Sequence, residues 1–284
     1  MQPLATSPNP PSSTAHSVKQ RLEETVARGG KWTAHNIYLG DGIFTVGADK
    51  PADARIERFA KIISDLDPRP WQNLRILDLA CLEGLFAIDF GRRGAKTVGI
   101  EVREIAVEKA RFSKDVLKLD GVEIVQDDVR NLSRAKYGKF DVVLCCGVLY
   151  HLDFPDVLLF MEKLREVCDG FAIVDTHIAL EDVKANGFKL TDLKSRTDRG
   201  VEYWGRFFRE HQPNQSREDR LRASWASVDN EVSFWLTRRS LSEALAGFSS
   251  VFEHLEPELV ANPDRDRITV VALQKGRDRA AGQM

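Results

Sequence analysis

The chain has 284 residues, 43% of them hydrophobic and 30% charged, with a formal net charge of -2. That length buries one substantial core, or one core with an inserted lobe, and the composition is that of a soluble globular protein. No apolar run approaches the roughly 20 residues that cross a bilayer, and the near-neutral balance gives no global reason for a polyanionic partner, though it leaves room for a local basic face.

The N-terminal "MQPLATSPNPPSSTAHS" has no charged segment followed by an apolar one, so it does not read as a secretory signal. Its Pro and Ser content predicts a disordered tail over 1–16. Cys81, Cys145, Cys146 and Cys168 show no CxxC spacing, which predicts reduced, buried thiols in a cytoplasmic protein rather than a metal or disulfide framework.

"SVKQRLEETVARG" predicts a helix ending at Gly29-Gly30, and "KWTAHNIYLGDGIFTVG" alternates around Gly40-Asp41-Gly42 as a hairpin does. Over 53–66, Ile56, Phe59, Ala60 and Ile63 share one helical face. These elements form an N-terminal segment, 17–72.

From Leu74 apolar strands alternate with amphipathic helices. "LRILDLA", "KTVGIEV", "VEIVQDDV", "FDVVLCCGV" and "FAIVDTHI" read as strands. "GLFAIDFGRRG", 103–118 and "FPDVLLFMEKLREVCDG" read as helices, the last stopping at Gly170. The pattern predicts an α/β, Rossmann-like, doubly wound, mostly parallel sheet over 73–180. Regularity stops in 181–231, where 10 acidic and 10 basic residues accompany Trp204 and Trp225, as in an inserted lid lobe. "RRSLSEALAGF" then resumes a helix, and "SSVFEHLEPEL" and "DRITVVALQK" predict a C-terminal antiparallel hairpin that completes the core over 232–275, before a tail, 276–284.

In such a sheet ligands bind beyond the carboxyl ends of the strands. Asp78 ends the first strand, and Glu101, 23 positions later, ends the second, near the spacing at which an acidic residue grips ribose hydroxyls. Asp128 follows the third, Tyr150 and His151 the fourth, Asp175 and His177 the fifth. Each alone has a structural reading, Asp128 as a helix N-cap for example. Five successive carboxyl ends carrying such groups predict a functional rim.

"LDLACLEG", "VGIE", "VQDDVRNL" and "FDVVLCCGVLYHL" resemble successive motifs of class I S-adenosylmethionine-dependent methyltransferases, over 73–180 with a weaker echo in 233–274. The family's first motif is nearer "LDLGCGxG", so the chain departs at Ala80 and Leu82 while keeping Asp78 and Gly84. Alanine suits a negative φ there, whereas leucine adds bulk and resists a positive one. The resemblance implies that Asp78, Ala80 and Gly84 border the methionine moiety, Glu101 takes the ribose hydroxyls, Asp128 and Val129 meet the adenine, and Cys146 and Gly147 line its pocket. It also implies that the hairpin closes over the cofactor with Trp32 and His35 in contact.

"GVLYHL" resembles the branch holding wobble-uridine tRNA methyltransferase-like enzymes and sugar or small-molecule O-methyltransferases. That implies in-line methyl transfer to a weakly nucleophilic hydroxyl, which needs a base. His151 is the first candidate and His177, near Asp175, the second. A Mg²⁺ ion held by Asp175, His177 and Glu231 would be another way to activate the oxygen. In the lobe, "YWGRFFRE" sets aromatics beside Arg206 and Arg209, suited to sugar rings or to stacked bases. The charge-balanced lobe favours a small hydroxylated acceptor, a saccharide or glycoside, over RNA. A catalytically inactive cofactor-binding protein and a homodimer stay open.

Overall fold

The computed structural model describes residues 13–180, 189–255 and 265–274. The tail residues 1–12 and 276–284 lie outside the described residues. Helix α1 (Ser13–Gly29) already begins inside the expected N-terminal tail. It is followed by β1 (Tyr38–Gly40), β2 (Ile43–Phe44) and α2 (Ala54–Leu66), whose N-cap Asp53 accepts from the Arg55 amide. β1 and β2 form the short hairpin.

The core then alternates: β3 (Arg75–Leu79), α3 (Leu85–Arg92), β4 (Lys96–Glu101), α4 (Glu104–Val116), β5 (Val122–Gln126), a short α5 (Arg134–Tyr137), β6 (Phe140–Cys146), α6 (Asp156–Val167) and β7 (Cys168–His177). The lobe contributes β8 (Lys194–Asp198), β9 (Val201–Arg209), α7 (Arg217–Arg222) and β10 (Val232–Leu236), and α8 (Arg238–Ala244), β11 (Ser250–His254) and β12 (Arg267–Leu273) finish the chain.

The main sheet has seven strands in the order β11-β12-β7-β6-β3-β4-β5. β5, β4, β3, β6 and β7 are parallel, while β12 runs antiparallel to β7 and β11. Both faces are covered, which is why the strands are apolar at consecutive positions. Ile76, Val142 and Leu144 pack toward Phe59 of α2 and Phe90 of α3, and their neighbours Leu77, Val143 and Cys145 pack toward Phe160 of α6 and Leu241 of α8. All four cysteines are free thiols.

Two boundaries differ from expectation. α6 ends at Val167 and β7 starts at Cys168, so Gly170 lies inside the strand instead of stopping the helix. β10, expected in the core, pairs with β9 and closes the lobe's three-stranded antiparallel sheet β10-β9-β8. Alternating apolar residues such as Phe234 look the same in either sheet, and only the tertiary partner distinguishes them.

Candidate active site

After β3 the chain turns through Ala80 at φ 53, Leu82 at φ 47 and Gly84 at φ 83. The loop thus keeps a left-handed path at both positions that lack glycine. Left-handed backbone costs an L-residue about 1–2 kcal/mol, so surrounding bonds must hold it. The Cys81 amide donates to Ile100 O at 2.9 Å, and the Leu82 amide to Glu101 Oε2 at 3.0 Å. Gly84 is needed for another reason: a Cβ there would lie 2.9 Å from Ala110 Cβ, between α3 and α4. Its Cα thus lets the two helices pack closely.

A cleft opens at the carboxyl ends of β3, β4, β5 and β6. Asp78, Ala80, Glu101, Asp128, Val129, Cys146 and Gly147 line it together with His35. Trp32 does not. It is buried, edge-on to Phe112 at 5.8 Å, with the Lys109 ammonium 5.3 Å from its ring centre, so it belongs to the core. The hairpin approach is instead held by Glu83, 1% exposed, which accepts the Thr33 amide at 2.8 Å and pairs with Lys109 at 3.2 Å.

Burial dominates the electrostatics of the cleft floor. It pushes the Asp78 carboxyl up to about 7, against the Ala87 amide that donates to it at 3.1 Å. Burial, helped by the Arg55 charge, pushes His35 down to about 3. His35 Nδ1 accepts the Leu85 amide at 3.2 Å, so the proton of this neutral ring sits on Nε2. At Asp128 burial opposes the charge, but the Arg130 side chain and amide hold the carboxyl below its usual range.

The proposed metal set does not assemble. Asp175 accepts from Arg267 Nε at 2.8 Å and Thr269 Oγ1 at 2.9 Å and has Arg55 at 3.5 Å, so two guanidinium groups take the place a cation would need. His177 stacks on Trp235 at 5.1 Å, behind the Tyr150 ring, and does not line the cleft. Glu231 pairs with Arg220 at 3.0 Å. Among the described residues no three His, Cys, Asp or Glu side chains are grouped to hold a metal.

His151 does line the cleft, on a single turn, Leu149–His151, just past β6. Its Nδ1 lies 3.0 and 3.1 Å from the two carboxylate oxygens of Glu210, whose side chain has no exposed surface. The lobe reaches over the cleft through its 224–230 loop, including Trp225 and Asn230. Arg103 donates to the Ala223 and Ala226 carbonyls at 3.0 and 2.6 Å, Arg130 pairs with Asp229, and Asn230 donates to His151 O at 3.0 Å. The "YWGRFFRE" residues are placed otherwise than expected. Arg206 is buried and donates to the Leu180 and Thr191 carbonyls, while Phe207 and Phe208 pack on Phe234 and Trp235 of β10, which themselves face the core. Trp225, 63% exposed, lines the cleft together with Tyr150 and Phe86. Glu83, Arg55, Arg103, Glu210 and Arg267 carry no spacing signal, since each meets partners from distant parts of the chain.

A doubly wound parallel sheet with an antiparallel closing pair, carrying Asp78, Glu101 and Asp128 at three adjacent strand ends, is a Rossmann-like architecture with a ligand cleft at its carboxyl edge. Residues 76–169 match the family described as a methyltransferase domain. Over 81 residues the chain is 30% identical to the ubiquinone biosynthesis O-methyltransferase of Acinetobacter baylyi, covering 28% of this chain and 34% of that one; the match thus spans about a third of this curated relative. The crystal structure of the N-terminal domain of EvdMO1 with S-adenosylhomocysteine bound superposes with a TM-score of 0.66 at 24% identity, over 92% of this chain and 97% of that one. The same domain in the presence of S-adenosylhomocysteine and D-fucose gives 0.64.

Proposed function

We propose that this protein is an S-adenosylmethionine-dependent O-methyltransferase acting on a hydroxyl of a small molecule, a saccharide or glycoside. The observation that carries the reading is the cleft itself, which joins Asp78, Glu101 and Asp128 to a histidine, His151, under a lobe. The names of the curated relatives support O-methylation, and the D-fucose of the structural neighbour supports a sugar.

The residues present fit the cofactor. Glu101 is 2% exposed at its side chain, accepts one bond on each oxygen, from the Leu82 and the Arg103 amide, and has lone pairs left for two ribose hydroxyls. Asp128 and the Val129 amide would meet the adenine, and the Cys146 and Gly147 backbone would line its pocket. Burial disfavours the Asp78 charge, so a cationic ligand group beside it would be bound with gain. Neutral His35 adds no competing positive charge.

When bound, S-adenosylmethionine supplies a methyl carbon on a positively charged sulfur. His151 Nε2 would take the acceptor's hydroxyl proton, freeing the oxygen to receive the methyl group that the cofactor would supply. The lobe loop excludes water, and its Trp225 offers a face for a sugar ring.

Isothermal titration with S-adenosylhomocysteine, followed by a saccharide panel including D-fucose, tests the reading. His151→Ala should keep cofactor affinity and lower turnover roughly 10²–10⁴-fold. Binding without turnover on any acceptor would instead indicate an inactive cofactor-binding protein. Strong, salt-sensitive retention of tRNA would overturn the small-molecule acceptor.

A further inference from the structure

From the His151 contact we infer that Glu210 is a positioning residue for the base, supplied by the lobe. The inference rests on the reading of His151 given above. Glu210 follows β9 and reaches a histidine 59 positions earlier in the chain. Its side chain has no exposed surface. A buried carboxylate is costly unless its lone pairs are used, and here they are. Oε1 accepts Ser233 Oγ at 2.7 Å, Oε2 accepts the Ser227 amide at 2.9 Å, and both face His151 Nδ1.

A carboxylate can only accept, so His151 Nδ1 must carry the proton. The lone pair is then on Nε2, the nitrogen that would face an acceptor hydroxyl, and no described residue is bonded to it. As Nε2 takes a proton, the adjacent carboxylate stabilises the imidazolium, as a buried acid does in hydrolytic triads. Both other Glu210 donors come from the lobe, Ser227 from the loop over the cleft and Ser233 from β10. Asn230 of that loop also bonds the His151 carbonyl. The base is therefore complete only when the lobe is seated on the core, which ties proton abstraction to closure.

The same contacts say what Glu210→Gln does. The Ser227 amide needs an acceptor, so the glutamine oxygen takes the Oε2 position. The NH₂ group then takes the Oε1 position, between Ser233 Oγ and His151 Nδ1, and donates to both. That amide opposes a hydrogen on Nδ1, while the oxygen at the Oε2 position still lies 3.1 Å from it, so the balance shifts toward the tautomer with hydrogen on Nε2, which cannot take a proton.

Imidazole ¹⁵N NMR of the full chain, with the His151 signals identified by their loss in His151→Gln, reads the tautomer without any acceptor. Hydrogen on Nδ1 in the parent protein and on Nε2 in Glu210→Gln is the expected result. Turnover of Glu210→Gln, followed as S-adenosylhomocysteine release with the best saccharide of the panel, should fall about 10²–10⁴-fold with KM little changed. Ser233→Ala disturbs the same buried site but keeps the carboxylate, and should retain both the parent tautomer and turnover within about 10-fold. A tautomer unchanged in Glu210→Gln, or an equal loss in Ser233→Ala, would refute the positioning role. A switched tautomer with undiminished turnover would leave the anchoring intact and refute His151 as the base.

Discussion

Replacing Glu83 by alanine should unlatch the N-terminal hairpin segment from the cofactor loop. Glu83 is 1% exposed and receives the Thr33 amide at 2.8 Å, the more distant Ala34 and His35 amides at 3.4 Å, and the Lys109 ammonium at 3.2 Å. Truncation leaves the ammonium, 5% exposed, with the Lys31 carbonyl at 2.7 Å and the Trp32 ring but no counter-charge. Breaking a buried pair from one side costs about 3–5 kcal/mol. At about 2–4 °C per kcal/mol for a chain near this size, the melting temperature should fall by about 6–20 °C. Lys109→Met removes the stranded charge, so in a double-mutant cycle the pair of changes should cost about 1–3 kcal/mol less than the sum of the single ones. Ala34 and His35 line the cleft, so Glu83→Ala should also weaken S-adenosylhomocysteine binding in calorimetry. A loss below about 1 kcal/mol, or a cycle that is additive within about 0.3 kcal/mol, would refute the latch.

Glu101→Gln removes one charged acceptor from the ribose site and should weaken S-adenosylhomocysteine binding about 10–100-fold by titration, at about 1.5–3 kcal/mol for a charged hydrogen bond. His35 and Asp78 should give opposite pH dependences of stability. Unfolded His35 takes a proton near 6.5 and the folded residue only near 3, so its contribution is full above 6.5 and is lost as pH falls from there toward 3. Asp78 ionises near 3.8 unfolded and near 7 folded, so its contribution is full below 3.8 and is lost as pH rises from there to 7. Urea midpoints against pH should lose the first slope in His35→Asn and the second in Asp78→Asn; an unchanged slope in either would exclude that residue. Thorough treatment with a chelator should leave turnover undiminished, because Arg55 and Arg267 already neutralise Asp175; loss of activity restored by Mg²⁺ would reverse this.

The parallel sheet was legible because burial on both faces demands apolar strands, and amphipathic helices between them demand crossovers. For the same reason the strand-end residues Asp78, Glu101, Asp128 and His151 could be placed on one rim: a known strand direction puts its last residue at a known edge. Trp32 was assigned to the cofactor by likeness of motif, and packing against Phe112 took it into the core. The loop question was settled by backbone geometry. Ala80 and Leu82 hold the left-handed path that side-chain identity argues against, because hydrogen bonds around them, including Leu82 to Glu101, outweigh a local cost.

The tertiary structure alone decided how distant charges pair. Glu210 meets His151 across 59 positions and Arg267 meets Asp175 across 92, and no periodicity encodes such contacts. Local sequence sets the direction and burial of an element through repeating side-chain preferences. The partner of a buried charge depends on which elements the fold brings together, so His151, the proposed base, was visible early, while the carboxylate behind it appeared only once the lobe was seated.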